Sequence, residues 1–87
     1  MQKVWIIASD NHSDDKVEYL VASTEEKAEE LMREVLDNSY HGKDPDEFCD
    51  EYDRSAEECV KSHEWGSGFG DYVRIIEAEL DSPYFVR

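Results

Sequence analysis

Apolar residues in this chain fall into short runs with two different periods, and few small folds accommodate both. KVWIIAS, near the start, is compact and rich in β-branched residues, and reads as a strand. The turn formers NHSDD follow, and then VEYLVA reads as a second strand. Together they predict a β-hairpin with a loop of about five or six residues. In STEEKAEELMREVLDNS the period changes. Ala28, Leu31, Met32, Val35 and Leu36 stand at i, i+3, i+4, i+7 and i+8, which is one face of a helix. Ser23 and Glu26 have the spacing of a capping box, and Glu25 and Glu26 suit the positive end of a helix dipole. YHGK, residues 40–43, closes the helix with a glycine.

The next segment, DPDEFCDEYDRSAEEC, predicts a second helix. Asp44 is a plausible N-cap, Pro45 takes the favoured first position, and Glu47 completes a capping-box-like pattern. Phe48, Cys49, Tyr52, Ala56, Cys59 and Val60 would form its apolar face. EWGSGFGD reads as a glycine-rich loop. DYVRIIEAEL then reads as a strand, with Ile76, Ala78 and Leu80 on one face and Glu77 and Glu79 on the other. SPYFVR is a short tail. The order β-β-α-α-β predicts a single α+β domain over residues 1–87, in which a three-stranded antiparallel sheet carries both helices on one face. A chain this short buries only about 60% of its unfolded surface, so the core is thin.

Charge narrows the function. The chain has 23 Asp plus Glu against nine Lys plus Arg, a net charge of −14. Two Trp, five Tyr and three Phe supply core material that a disordered acidic tail would lack. Such a surface repels phosphates and anionic membranes and attracts basic protein surfaces or cations. The N-terminal apolar run is too short for a signal peptide or a membrane helix, which points to a cytoplasmic protein. There Cys49 and Cys59 would be reduced thiols, and within one helix they lie too far apart to bridge.

Residues 44–59 contain eight acids and one base, Arg54. As a helix, Asp44 to Glu58 would span about 21 Å, roughly one charge every 3 Å. A DNA strand advances about 3.4 Å per phosphate, so the linear charge densities are comparable. Asp44, Asp46, Glu47, Asp50, Glu51, Asp53, Glu57 and Glu58 are therefore candidate partner-binding residues, able to pair with arginines in a cationic groove. A solvated face that only keeps the protein soluble, or adaptation to high salt, is the competing reading. Trp65 and Phe69, both in the glycine-rich loop EWGSGFGD, are candidate apolar anchors at an interface, or else fold back over the core. The glycines suit a turn into the last strand better than a phosphate loop, because no lysine and no helix follow.

His12, His41 and His63 are scattered without zinc-like pairing, and neither Asp10–Asp15 nor Asp44–Asp53 has the central glycine of a calcium loop. No cofactor and no dedicated metal are expected. Cys49 or Cys59 with His41 or His63 could be drawn as nucleophile and base, but both cysteines fall on the predicted apolar face. The chain is not expected to be an enzyme.

VEYLVASTEEKAEELM and the closing DYVRIIEAELD, residues 17–32 and 71–81, resemble a recurring type of small phage and bacterial protein. In that type a hairpin leads into a helix beginning ST-x-E-x-AEE, and a strand of alternating apolar and acidic residues closes the sheet. Some anti-CRISPR inhibitors of Cas nucleases, at least one of which blocks Cas9, are similar in this way. The resemblance implies a mobile-element origin and an inhibitory role, and it carries over no site residue. The functional expectation is an acidic, phage-encoded inhibitor of a host defence nuclease. It would bind the basic nucleic-acid-binding surface of that nuclease in the host cytoplasm, and would not touch nucleic acid directly. The other expectation is a general interaction or regulatory module whose charge serves solubility.

Overall fold

A computed structural model describes residues 3–11 and 16–79. The order is β1 (Lys3–Asn11), β2 (Lys16–Ala22), α1 (Glu25–Ser39), α2 (Ala56–Ser62), β3 (Glu64–Gly66) and β4 (Tyr72–Glu79). The fold is α+β with two helices and an antiparallel sheet. The sheet has four strands in the order β2-β1-β4-β3, where the sequence predicts three. The additional strand, β3, lies in the stretch read as a glycine-rich loop. Three residues are too few to show a period of two. The hairpin turn around His12 and the SPYFVR tail, with Leu80 before it, lie outside the described residues.

Register explains how the apolar residues are shared out. Ile7 sits opposite Leu20 of β2 and Ile75 of β4, and Trp5 opposite Ala22 and Glu77. Side chains alternate across a strand, so Ile7, Trp5, Ala22, Val73 and Ile75 share the face that meets the helices. With Ala28, Met32 and Leu36 of α1, Ala56 and Cys59 of α2, and Trp65 of β3, the residues Ile7, Ala22, Val73 and Ile75 form the core, and Trp5 packs against it. Leu31 and Val35 pack at its margin. The face of β4 that turns to the helices is therefore Val73 and Ile75. Ile76 and Ala78, predicted as the strand's apolar face, lie on the opposite side of the sheet.

The first helix begins one residue later than its predicted cap. Thr24, rather than Ser23, takes the cap position, and its side-chain oxygen accepts the Lys27 N–H at 3.1 Å. At the other end the left-handed residue is His41, at φ 58°. Gly42 serves a different need, which is close approach. Its N–H donates to the Leu36 carbonyl at 2.9 Å, and an added Cβ would meet Asp37 Oδ1 at 2.9 Å and the Leu36 carbonyl carbon at 3.0 Å.

The second helix departs most from the sequence reading. Residues 44–55 are not helical. Asp44 Oδ1 accepts the Asp46 N–H, and the Asp44 carbonyl accepts those of Glu47 and Phe48, which makes one turn that goes no further. Asp53 adopts a left-handed conformation at φ 57°. The helix starts at Ala56, behind a capping box in which the Ser55 side chain accepts the Glu58 N–H and the Glu58 carboxylate accepts the Ser55 N–H. Cys49 thus lies in the loop and Cys59 in α2, so the one-helix spacing of the two thiols does not apply.

Candidate functional site

Asp50 organises the loop between the helices. Its side chain is fully buried and meets Arg54 through two contacts, Nε to Oδ2 at 2.9 Å and a terminal guanidinium N–H to Oδ1 at 3.2 Å. The backbone N–H groups of Tyr52 and Arg54 donate to Oδ2 at 3.0 and 3.2 Å, and that of Gly66 reaches Oδ1 at 3.5 Å. Burial by itself would raise this carboxyl. The Arg54 guanidinium and the three backbone donors outweigh it and hold the carboxyl down at about 2. Arg54 is correspondingly held protonated, chiefly by its hydrogen bonds to Asp50. Asp50 is therefore an internal strut and leaves the set of candidate partner-binding residues.

Trp65 leaves it as well. It is buried, its indole N–H donates to the Cys49 carbonyl at 2.8 Å, and its ring lies 4.3 Å from Tyr40 and 6.1 Å from Phe48 between centroids. Phe69 is the opposite case, 86% exposed at the tip of the 67–71 turn. In that turn Gly68 and Gly70 take positive φ, and the Ser67 N–H donates to the Asp71 carbonyl at 3.0 Å. Asp44, Asp46, Glu47, Glu51, Asp53, Glu57 and Glu58 are all exposed. They do not form one row. The first five decorate the irregular loop, and Glu57 and Glu58 belong to the first turn of α2.

The regular array of carboxylates is on α1. Glu25, Glu26, Glu29, Glu30 and Glu34 fall on one half of its circumference, the half that turns toward α2. With Glu57 they line an open groove of about 1020 Å³ between the helices. Lys27, Arg33 and Lys61 also line it, and Lys27 pairs with Glu30 at 3.2 Å. The sequence signal for this array is the EE-x-x-EE pattern of α1, of which Glu25 and Glu26 are also expected at the positive end of the helix. The run at 44–58 is denser in acids but is not a regular array.

His63 caps the far end of α2 in a left-handed conformation at φ 62°. Its Nε2 lies 3.9 Å from Glu25 Oε1 and 3.8 Å from Glu29 Oε2. The three residues each offer one ligand atom within 4.8 Å of the others. A divalent cation there would take two carboxylates and an imidazole, and a protonated His63 makes ion pairs with the same groups. Sequence spacing does not show this group, because His63 reaches α1 only through the packing of the two helices. His41 pairs separately with Glu47 at 3.2 Å.

Cys59 is buried, and burial, reinforced by the nearby Asp50 carboxylate, pushes its thiol up to about 12. A thiol held neutral is a poor nucleophile. Among the described residues no helix is long and apolar enough to cross a membrane. No family model, curated protein or solved structure matches the chain, so the resemblance to small phage and bacterial proteins stands on its residues alone.

Proposed function

We propose that the protein is a small acidic inhibitor, phage-encoded and anti-CRISPR-like, that occupies the basic nucleic-acid-binding surface of a host defence nuclease and acts without catalysis. The observation that carries this reading is the carboxylate array on α1. Glu25, Glu26, Glu29, Glu30 and Glu34 cover nine residue steps, about 13–14 Å of helix. That is one carboxylate every 3 Å or so, close to the advance per phosphate along a DNA strand. Both a rigid helix and the exposed loop acids Asp44, Asp46, Glu47, Glu51 and Asp53 contribute charge, and together with Glu57 and Glu58 they can meet arginines in a cationic cleft.

The test is a gel-shift competition with a Cas effector, its guide and its target. Reversal of Glu26, Glu30 and Glu34 to lysine is expected to abolish competition, with a smaller loss when Asp46, Glu47 and Asp53 are reversed. Inhibition that survives both sets removes charge mimicry. Affinity should also fall steeply between about 50 and 200 mM salt.

A second reading has its own observation. Val17, Tyr19 and Val21 of β2 are 48%, 66% and 65% exposed, an apolar row on an otherwise acidic protein. A general interaction module binding through that row would be insensitive to salt, with its acids serving solubility.

A further inference from the structure

The two edges of the sheet are treated differently. Beyond β3, the loop that follows Cys49 completes the hydrogen bonding: the Glu51 N–H donates to the Gly66 carbonyl at 2.8 Å, and the Gly66 N–H reaches Asp50 at 3.5 Å. That edge is closed. The other edge is β2, and it is paired on one side only, with β1, in seven consecutive register pairs without a bulge. Among the described residues no backbone group outside β1 is paired with it. Proteins usually guard such an edge with prolines, bulges or several charges. From Lys16 to Ala22 there is no proline, and Lys16 and Glu18 are the two charged residues. On one face Val17, Tyr19 and Val21 lie open, and Leu20 is 41% exposed on the other.

We propose that β2 is a docking edge that accepts an extended segment of a basic partner protein as a fifth strand. Main-chain hydrogen bonds along the open edge would supply affinity, and alternate apolar side chains of the incoming strand would pack on Val17, Tyr19 and Val21. The chemistry of the occupant follows from charge. Asp10 stands opposite Val17 and Glu18 lies within the strand, against one base, Lys16, at its start, on a protein of net charge −14. The incoming strand is therefore apolar at its centre and carries Lys or Arg at its ends. A second copy of this chain is the wrong occupant, because edge-to-edge pairing would set one net charge of −14 against another. The inference rests on the reading that the partner is basic, and it assigns the contact to a surface on which the α1 carboxylates play no part.

The experiment titrates isotopically labelled full-length protein with a nine-residue peptide that alternates Val and Thr between paired terminal lysines, followed by amide shifts and hydrogen exchange. Protection and shifts confined to residues 16–22 are expected. Tyr19→Thr with Val21→Thr, which preserve charge and β propensity, should weaken the peptide about tenfold. A peptide with glutamates replacing the lysines should bind more weakly than the lysine peptide. Shifts on α1 that vanish with E26K/E30K/E34K would overturn the docking edge and leave the acidic-surface reading standing. Loss of competition in E26K/E30K/E34K with β2 shifts intact would support both. A dimer by sedimentation that Y19T/V21T dissolves would make the occupant a second copy and overturn the proposal, as would β2 amides unmoved by millimolar peptide.

Discussion

The indole N–H of Trp65 donates to the backbone carbonyl of Cys49 across 16 residues of chain, at 2.8 Å. That bond ties the short strand β3 to the loop that precedes α2, and Asp50, the next residue, closes the same junction from the other side. Trp65→Phe is expected to cost about 1–2 kcal/mol by leaving the carbonyl unpaired. Trp65→Ala should cost about 3–5 kcal/mol by emptying the site between Tyr40 and Phe48 as well. Urea denaturation of the two variants checks the order.

Asp50→Asn removes the charge that Arg54 faces while keeping the side chain's size. Arg54 retains some solvent access, with its side chain 20% exposed, so the cost falls toward the lower end of what a broken buried pair shows, about 3 kcal/mol. A urea midpoint equal to that of the unmodified protein would contradict the assignment of Asp50 as a strut.

Asp50 also predicts an acid limb in stability. In the unfolded chain its carboxyl titrates near 3.8, and in the fold at about 2. The folded state therefore binds this proton less readily. The stabilisation is complete above the unfolded value and is lost as the pH falls through the folded one. It amounts to about 2 kcal/mol between pH 5 and pH 2. Asp50→Asn should flatten that part of the stability–pH curve, and an unchanged slope would assign the acid limb to other carboxylates.

The start of α2 separates sequence and structure. Ser55→Ala breaks a capping box and should cost about 1 kcal/mol. Pro45→Ala, at the position that sequence reading gives to the first turn of a helix, should change stability by no more than about 0.5 kcal/mol. Thermal melts of the two variants distinguish a helix beginning at residue 56 from one beginning at residue 45.

The thiols should react unequally. Cys49 is exposed and Cys59 is buried. In the folded protein a thiol-specific reagent should modify one cysteine quickly, and in urea it should modify both. Rapid modification of two in the native state would contradict the burial of Cys59.

Where the local pattern is long, the sequence speaks for the fold. The hairpin strands, α1 with its Ala28, Met32 and Leu36 stripe, and the strand from Tyr72 are all legible from period alone. The failures have local causes. Asp44-Pro45 suits a turn as well as a helix start, and what decides between them is the carboxylate of Asp50, whose donors include Gly66, far along the chain. Ser55-Ala-Glu-Glu carried the true capping signature in plain view, behind a stronger-looking one. Ile75 and Ile76 are consecutive apolar residues in one strand, so alternation could not choose the face that meets the helices. The candidate site was legible as charge and not as geometry. The acids of 44–53 sit on a segment that is not helical, while the ordered carboxylates lie on α1.

The central pair of the sheet joins β1 to β4, with Lys3 opposite Glu79. The two strands that every other strand depends on are thus the first and last of the described strands in chain order. A nascent chain can form the hairpin and α1 early, but the sheet's middle must wait for residue 79 to emerge, and closing so long a loop is a slow step. Until then the apolar stripe of α1 and the inner row of β1 lack the cover of Val73 and Ile75, which makes synthesis the moment when a surplus of negative charge does most to keep the chain from sticking to its neighbours.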